Sequence, residues 1–455
     1  MSQVLEHLIP TKDKIMAWIS EIFQQGIRRP GYPADIWVEK WIKEKFEQFN
    51  LDEILLEPLK IQRWETSNAN LMLWLEETPE DRMKIPCFPI PYTISANNIE
   101  AEVCNISNRE LKGKIPLNKL SLIKFPVSSL KSLTDKFYDP RNEFDSLSQL
   151  MPFGISFQNV LEEAIDGEAS AMIGYIHNYP WETQDYYVPY NAVEKSISGV
   201  WVSPKNGKKI SKLMRKQKVH ANISYEASNK IVETNNVYGI LKADTDNWVI
   251  ISTHHDGPWA SATEEATGIA LVLAQAKYWS QIPKNNRPFN LLFLMNCAHM
   301  AGGKGGTTFV RKHNKLLKKT VVTIVLEHVA RDCRSENGIL LPTNDPVVRW
   351  WFTSKVPKLR EITMNAIKKE NLYRSAIMPT EGFPPGSDHP PTDAAPFHLA
   401  GVPIVSLLSA PPYLFDPADT LDKVHVPSLE PITKAVINII DNLRGKSPSD
   451  LRKQL

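Results

Sequence analysis

No stretch of this sequence approaches the roughly 20 consecutive apolar residues that span a bilayer. The opening MSQVLEHLIPTKDK also has no apolar core of signal-peptide length. These absences predict a soluble, cytoplasmic protein. Cysteine is scarce: Cys87, Cys104, Cys297 and Cys333 form no CxxC pair, so neither a zinc knuckle nor a disulfide framework is indicated. Free thiols in a reducing compartment are the simpler reading. An excess of one charge is missing too. The 53 basic and 51 acidic residues leave +2, which gives no support to nucleic-acid or anionic-membrane partners. There is no internal repeat and no low-complexity segment. No Gly-x-Ser-x-Gly elbow supports a serine hydrolase. The run Gly302-Gly303-Lys304-Gly305-Gly306 lacks Walker spacing and reads as a tight turn before a helix, not as a phosphate cradle.

What is present is a globular composition, 42% apolar and 23% charged over 455 residues, long enough for two or three domains. Proline clusters at 85–91 and 384–396 predict ordered loops. Residues 12–25 read as a helix, and a second follows the Arg29-Pro30-Gly31-Tyr32-Pro33 break. Strands are expected at 54–64 and 70–75. From 98 to 235 strand-like runs are short and turns frequent. From 236 onward strands and helices alternate, with apolar strands at 248–252, 289–295, 320–326 and 402–408 and a last helix at 429–443. Near-continuous apolar strands suit the buried centre of an α/β sheet with helices on both faces. Trp350-Trp351-Phe352 reads as core or a helix start, and Lys312, Lys315, Lys318 and Lys319 as a solvated helix face.

The densest chemistry lies in WVIISTHHDGPWASATEEATG, residues 248–268. A strand ends in His254-His255-Asp256, a short loop follows, and Glu264 and Glu265 open a helical pattern. Sites in α/β folds form beyond the carboxyl ends of strands. A lone pair of histidines would merely end a strand; two histidines and three carboxylates within twelve residues favour a site. Other strands end in Cys297-Ala298-His299-Met300 and in Glu327-His328, and the loop 386–397 carries Asp388, His389 and Asp393. Imidazoles and carboxylates together suit a borderline divalent cation.

These stretches resemble, in order, the motifs of the di-zinc aminopeptidases related to aminopeptidase Y and glutamate carboxypeptidase. "THHDGPW…ATEEATGIALVLAQA" is similar to their "HxD…DNASG" region. "FNLLFLMNCAHMAGGKGG" sits where they have a strand and "EE", and "TIVLEH" sits at their "NLD" strand. "TDAAPFHLAGVPIVSL" is similar to "SDHxPF…GIP", and "YLFDPADTLDKV" to "YHTxxDTxDxV". Residues 98–235, with "GKIPL" and "GVWVSP", resemble a protease-associated insert, a lid or substrate-side wall without chemistry of its own. The resemblance implies an aminopeptidase-like mixed sheet flanked by helices on both faces with a β-rich insert. Its expected units are 1–97, 98–235 and 236–455.

Carried over by position, the resemblance implies His254, Glu264 and Glu327 as ligands of a zinc ion, with Asp256 orienting His254. Glu264 stands for an aspartate and is one methylene longer. His299 stands where the family has its general-base glutamate, with Glu265 beside the key acids as a second catalytic candidate. Met300 and Phe415 stand where ligands of a second zinc would be. One ion is therefore expected, not two. His328, Asp393 and Phe415 are expected to line the substrate pocket. Three readings follow: metal-dependent hydrolysis of an amide bond in a peptide or peptide-like small molecule, cyclisation as in the glutaminyl cyclases of similar fold, or a metal-free binding protein. Oligomeric state is left open.

Overall fold

In the computed structural model, residues 4–108, 110–134, 136–152 and 155–452 are described. The first helix, α1 (Lys12–Phe23), is capped by Thr11, whose hydroxyl accepts the Lys14 N–H at 3.3 Å, and it buries Ile15, Trp18, Ile19 and Ile22. That spacing of three and four puts all four on one face. The second, α2 (Pro33–Gln48), starts on proline, whose missing N–H costs nothing at a helix start, and buries Val38, Trp41, Ile42 and Phe46.

The first helix shares an apolar core with, and the second packs directly on, a nine-stranded sheet. Its strands in chain order are β1 (Glu53–Thr66), β2 (Phe137–Tyr138), β3 (Ala227–Leu241), β4 (Trp248–His254), β5 (Asn290–Asn296), β6 (Thr320–Leu326), β7 (Arg349–Thr353), β8 (Ser375–Met378) and β9 (Ile404–Ser409). Their order across the sheet is β1-β3-β5-β4-β6-β9-β7-β8-β2. The central β5, β4, β6 and β9 are parallel, and every residue of β5 and β6 is buried. Alternation divides the core. Val249, Ile251, Leu291, Phe293, Val322 and Ile324 face α1, α2, α3 (Thr267–Ser280) and the late helix Leu429–Asn442, whereas Ile250, Leu292, Leu294 and Val325 face Phe309 and Phe397 on the other side. Helices thus cover both faces, as expected for fully apolar strands. Trp350, Trp351 and Phe352, read as core or a helix start, lie in strand β7 and are fully buried.

An eight-stranded second sheet runs 78–85, 70–75, 219–225, 96–105, 115–120, 171–176, 198–202, 87–89. It draws three strands from the segment expected to pack on the catalytic unit. The expected limits at 97/98 and 235/236 both fall inside strands, Ala96–Asn105 and Ala227–Leu241. β3 pairs with β1 along 227–240 and with β5 along 237–241, and β2 pairs with β8. Residues 98–235 therefore share strands with the main sheet, contrary to the expectation of a self-contained insert. A strand that leaves one unit and enters another shows no break in composition, so texture could not reveal it. Cys104 and Cys297 are buried, Cys87 and Cys333 partly so, and all four are free thiols. Among the described residues no helix is long and apolar enough to cross a membrane.

Candidate metal centre

Because β4, β5, β6 and β9 are parallel, their carboxyl ends meet at one edge. β4 delivers His254, the turn after β5 delivers His299, and the turn after β6 delivers Glu327 and His328. Glu264 and Glu265 do not open the helix as expected. Their backbone is non-helical (φ −96, ψ 91 and φ −128, ψ 23), and α3 begins at Thr267. Neighbours on a helix do not face one point; in this irregular segment both carboxylates reach the same centre.

The contacts are short. His254 Nε2 lies 3.4 Å from Glu264 Oε1 and 3.9 Å from Glu265 Oε2. His328 Nε2 lies 2.5 Å from Glu264 Oε2 and 3.3 Å from Glu265 Oε2. All four residues are buried. Yet His254 Nε2, His328 Nε2, Glu264 Oε2 and Glu265 Oε2 have no partner in hydrogen-bond geometry. Burial raises Glu265 well above the carboxylate range, with Glu264 adding to this and His254 opposing it. Glu264 goes the other way: burial would raise it, but His328 and His254 beside it hold it low.

The remaining predicted residues take up distinct posts. His254 Nδ1 is 3.0 Å from the carbonyl of Asp256, so main chain holds its ring. The Asp256 carboxylate lies 3.7 Å from that nitrogen and accepts the N–H groups of His299 (3.0 Å) and Met300 (2.7 Å). Asp256 thus positions the 299–300 turn more directly than the His254 ring. Burial would raise it, but His254 and its neighbours bring it down to about 2. His299 Nδ1 donates to Asp393 Oδ1 at 2.5 Å, and its ring stacks on His254 with centroids 4.1 Å apart and planes 10° apart. Glu327, expected as a ligand, belongs to neither triplet of donors that closes around His254, which are His254–Glu264–His299 and His254–Glu265–His328. It accepts the Asp393 N–H at 3.2 Å instead. Asp388 lies out in solvent.

Phe415 and Met300 are both buried in an apolar cluster with Tyr186, Tyr187 and Trp201 of the second sheet's side. The Phe415 carbonyl accepts Tyr187 N–H and the Trp259 indole N–H, each at 3.0 Å. Tyr190 bridges this cluster to the centre, 5.2 Å from the Phe415 ring and 5.8 Å from that of His299. Sequence reasoning missed Tyr190, Arg28 and Asp419. The Arg28 guanidinium donates to the carbonyls of His255, Ala260, Ser261 and Glu264, and the Asp419 carboxylate accepts the N–H groups of Thr263 and Glu264. Together they fix the acidic loop from both ends. Asp419 lies in the "DPADTLDKV" motif and could have been singled out there; Arg28 carries no sequence signal.

A third buried group, Asp35, Glu39 and His255, has the composition of a ligand set but different wiring. Asp35 Oδ1 meets His255 Nδ1 at 2.7 Å, Asp35 Oδ2 accepts the Gly31 N–H at 2.8 Å, His255 Nε2 meets the Asn235 carbonyl at 2.9 Å, and Glu39 accepts from Asn235 at 2.8 and 2.7 Å. With its donors and acceptors engaged, it ties α2 to β3 and β4 as a structural anchor.

Two substitutions test this packing. A Cβ on Gly268 would overlap Glu265 Oε1, the Leu326 carbonyl and Thr253 Oγ1. The carbonyl cannot move without β6. Gly268→Ala should therefore destabilise by about 1–3 kcal/mol, read as a lower urea midpoint; an unchanged midpoint would show that the loop has slack. Asp416 is pushed up to about 7 by burial. Its folded pKa lies above the unfolded value, so stability is fullest below about 4 and is lost as pH rises through 7. Asp416→Asn should raise the unfolding temperature at pH 8, with a gain that shrinks at pH 5; a pH-independent difference would contradict this.

A mixed sheet with helices on both faces and an imidazole–carboxylate cluster beyond its parallel strand ends defines an aminopeptidase-like α/β fold. Residues 236–440 match the model described as Peptidase family M28. The aminopeptidase from Aneurinibacillus sp. strain AM-1 is similar in fold, with 18% identity, coverage of 96% of each chain and a TM-score of 0.64. So are the zinc aminopeptidase BSAP from Bacillus subtilis (16%, 95% of each chain, 0.68) and a Peptidase M28 precursor from Shewanella amazonensis (16%, 94% of this chain and 96% of that one, 0.68). No curated protein matches the chain.

Proposed function

We propose that this protein hydrolyses an amide bond in a peptide or peptide-like small molecule, using one divalent ion, zinc. The observation that carries this reading is the set of four buried, unpartnered donor atoms on His254, His328, Glu264 and Glu265, within a segment that matches Peptidase family M28. Buried polar atoms without partners cost stability, and a borderline cation suits these nitrogens and oxygens. BSAP, similar to this chain in fold, is a zinc aminopeptidase. When bound, the ion supplies the charge that polarises a carbonyl and lowers the pKa of water.

The chain's own groups do the rest. Asp393 accepts from His299 Nδ1, which fixes the ring and leaves Nε2 to accept a proton and pass it to the leaving amine. Glu327 holds the Asp393 main chain. Tyr190 and Phe415 supply an apolar wall that keeps bulk water from the reacting bond, with the second sheet's side as part of the substrate pocket.

One ion is expected because both triplets draw on His254, whose Nδ1 already faces a carbonyl. Its Nε2 has one lone pair, so the triplets are alternatives. Met300 and Phe415, packed in an apolar cluster, supply no nitrogen or oxygen side-chain donor for a second ion. Elemental analysis of protein purified without chelator should give about one zinc per chain, and free-amine peptides should be cleaved. Two ions per chain would overturn the single-ion reading. A metal-free protein that leaves free-amine and blocked peptides intact would overturn hydrolysis.

A further inference from the structure

We infer that the cation is held by His254, Glu265 and His328, a set absent from the motif correspondence, with His299 outside it. This rests on the hydrolytic reading above. It replaces Glu264 by Glu265 and Glu327 by His328, in each case the next residue along the chain.

The imidazoles are wired for it. His254 Nδ1 faces the Asp256 carbonyl at 3.0 Å and His328 Nδ1 faces the Ser409 carbonyl at 2.7 Å. Carbonyl oxygens only accept, so each Nδ1 carries the hydrogen. A neutral ring then presents a lone pair at Nε2. Both Nε2 atoms lie near the Glu264 and Glu265 carboxylates, yet neither nitrogen has a partner in hydrogen-bond geometry. Glu265 Oε1 is occupied by the Thr253 hydroxyl, leaving Oε2 for a ligand. Metal-binding histidines are commonly held in this way through their second nitrogen.

Distances choose between the acids. Bonds of about 2.0–2.2 Å at tetrahedral angles separate ligand atoms by roughly 3.3–3.6 Å. His328 Nε2 and Glu265 Oε2 are 3.3 Å apart, and His254 Nε2 and Glu265 Oε2 are 3.9 Å apart. Glu264 Oε1, 3.4 Å from His254 Nε2, suits that imidazole alone, but Glu264 Oε2 and His328 Nε2, at 2.5 Å, are too close to bind one ion together.

Ring planes choose between the histidines. An imidazole lone pair lies in the plane of its ring. His254 and His299 stack 4.1 Å apart with planes only 10° apart, so their lone pairs run side by side and do not converge on one point. The His299 side chain is also 21% exposed against 4% for His328. In addition, His328 sits in the left-handed backbone region at φ 55. That conformation is strained for a residue other than glycine, and such residues cluster at ligand sites.

The test is titration of chelator-stripped full-length protein with Co2+, followed by visible absorption, and with Zn2+ by calorimetry. Wild type should bind one equivalent. His328→Gln and Glu265→Gln should weaken binding at least 100-fold, while His299→Gln should stay within about 3-fold. His328→Cys should regain binding and add a sulfur-to-cobalt charge-transfer band, which appears only if residue 328 is a ligand. That variant also decides the matter if His328→Gln fails to fold. Wild-type affinity in His328→Gln, absence of the band in His328→Cys, or loss of binding in His299→Gln would overturn the assignment while leaving hydrolysis standing. Wild type that binds neither ion would overturn the hydrolytic reading itself.

Discussion

Replacing His299 by alanine should lower turnover about 100-fold or more, the usual scale for a lost general base, with the ion still bound. The residue is held at two points: its main-chain N–H donates to Asp256, and its ring Nδ1 to Asp393 at 2.5 Å. Burial would raise Asp393, but His299 and His254 beside it hold it below the usual carboxylate range. Asp393 therefore stays an acceptor and fixes which nitrogen of His299 is free. Asp393→Asn should lower turnover too, by upsetting that orientation, without changing ion content. His254→Ala is the contrast: ion and activity should go together. Steady-state kinetics on a free-amine peptide with parallel zinc analysis separates these outcomes. Full activity in His299→Ala would move the proton-transfer role elsewhere.

Asp35→Asn should destabilise the fold by about 3–5 kcal/mol, the scale for removing one partner of a buried ion pair. Asp35 and His255 are fully buried and 2.7 Å apart. Burial lowers a histidine, but the Asp35 charge outweighs this and raises His255 to about 9; burial raises Asp35 to about 6 despite His255. Near pH 7 the pair is charged on both sides. His255 binds its proton more tightly in the folded chain, so its contribution is complete below about 6.5 and is lost as pH rises through 9. The gap in urea midpoint between wild type and Asp35→Asn should therefore narrow from pH 7 to pH 10. A gap that widens with pH would show that the pair is not ionised as argued.

Legibility followed the range of the physics involved. The helices Lys12–Phe23 and Pro33–Gln48 and the strands Trp248–His254, Asn290–Asn296 and Thr320–Leu326 could be read because apolar spacing, proline at a helix start and unbroken apolar runs are local signals. His254, Glu264, Glu265, His299 and His328 stood out because strand-end polar residues in an otherwise apolar unit have few other uses. The short edge strand Phe137–Tyr138, the non-helical backbone at Glu264 and Glu265, and the run of Ala227–Leu241 through two units carry no such signal. Each depends on a partner far away in the chain.

Sequence alone determined the alternation of strands and helices, the buried apolar centre of the sheet, and the inventory of imidazoles and carboxylates at the strand ends. These follow from side-chain periodicity and residue type, which need no third dimension. Tertiary structure decided which members of that inventory meet. Asp393 reaches His299 across 94 positions, His328 reaches Glu264 across 64, and Asp35 reaches His255 across 220. It also decided that two chemically similar clusters differ in kind, one with its polar atoms satisfied and one with buried donors left open. Whether a buried nitrogen or oxygen already has a partner depends on directions and distances of a few tenths of an ångström, and only packing sets those.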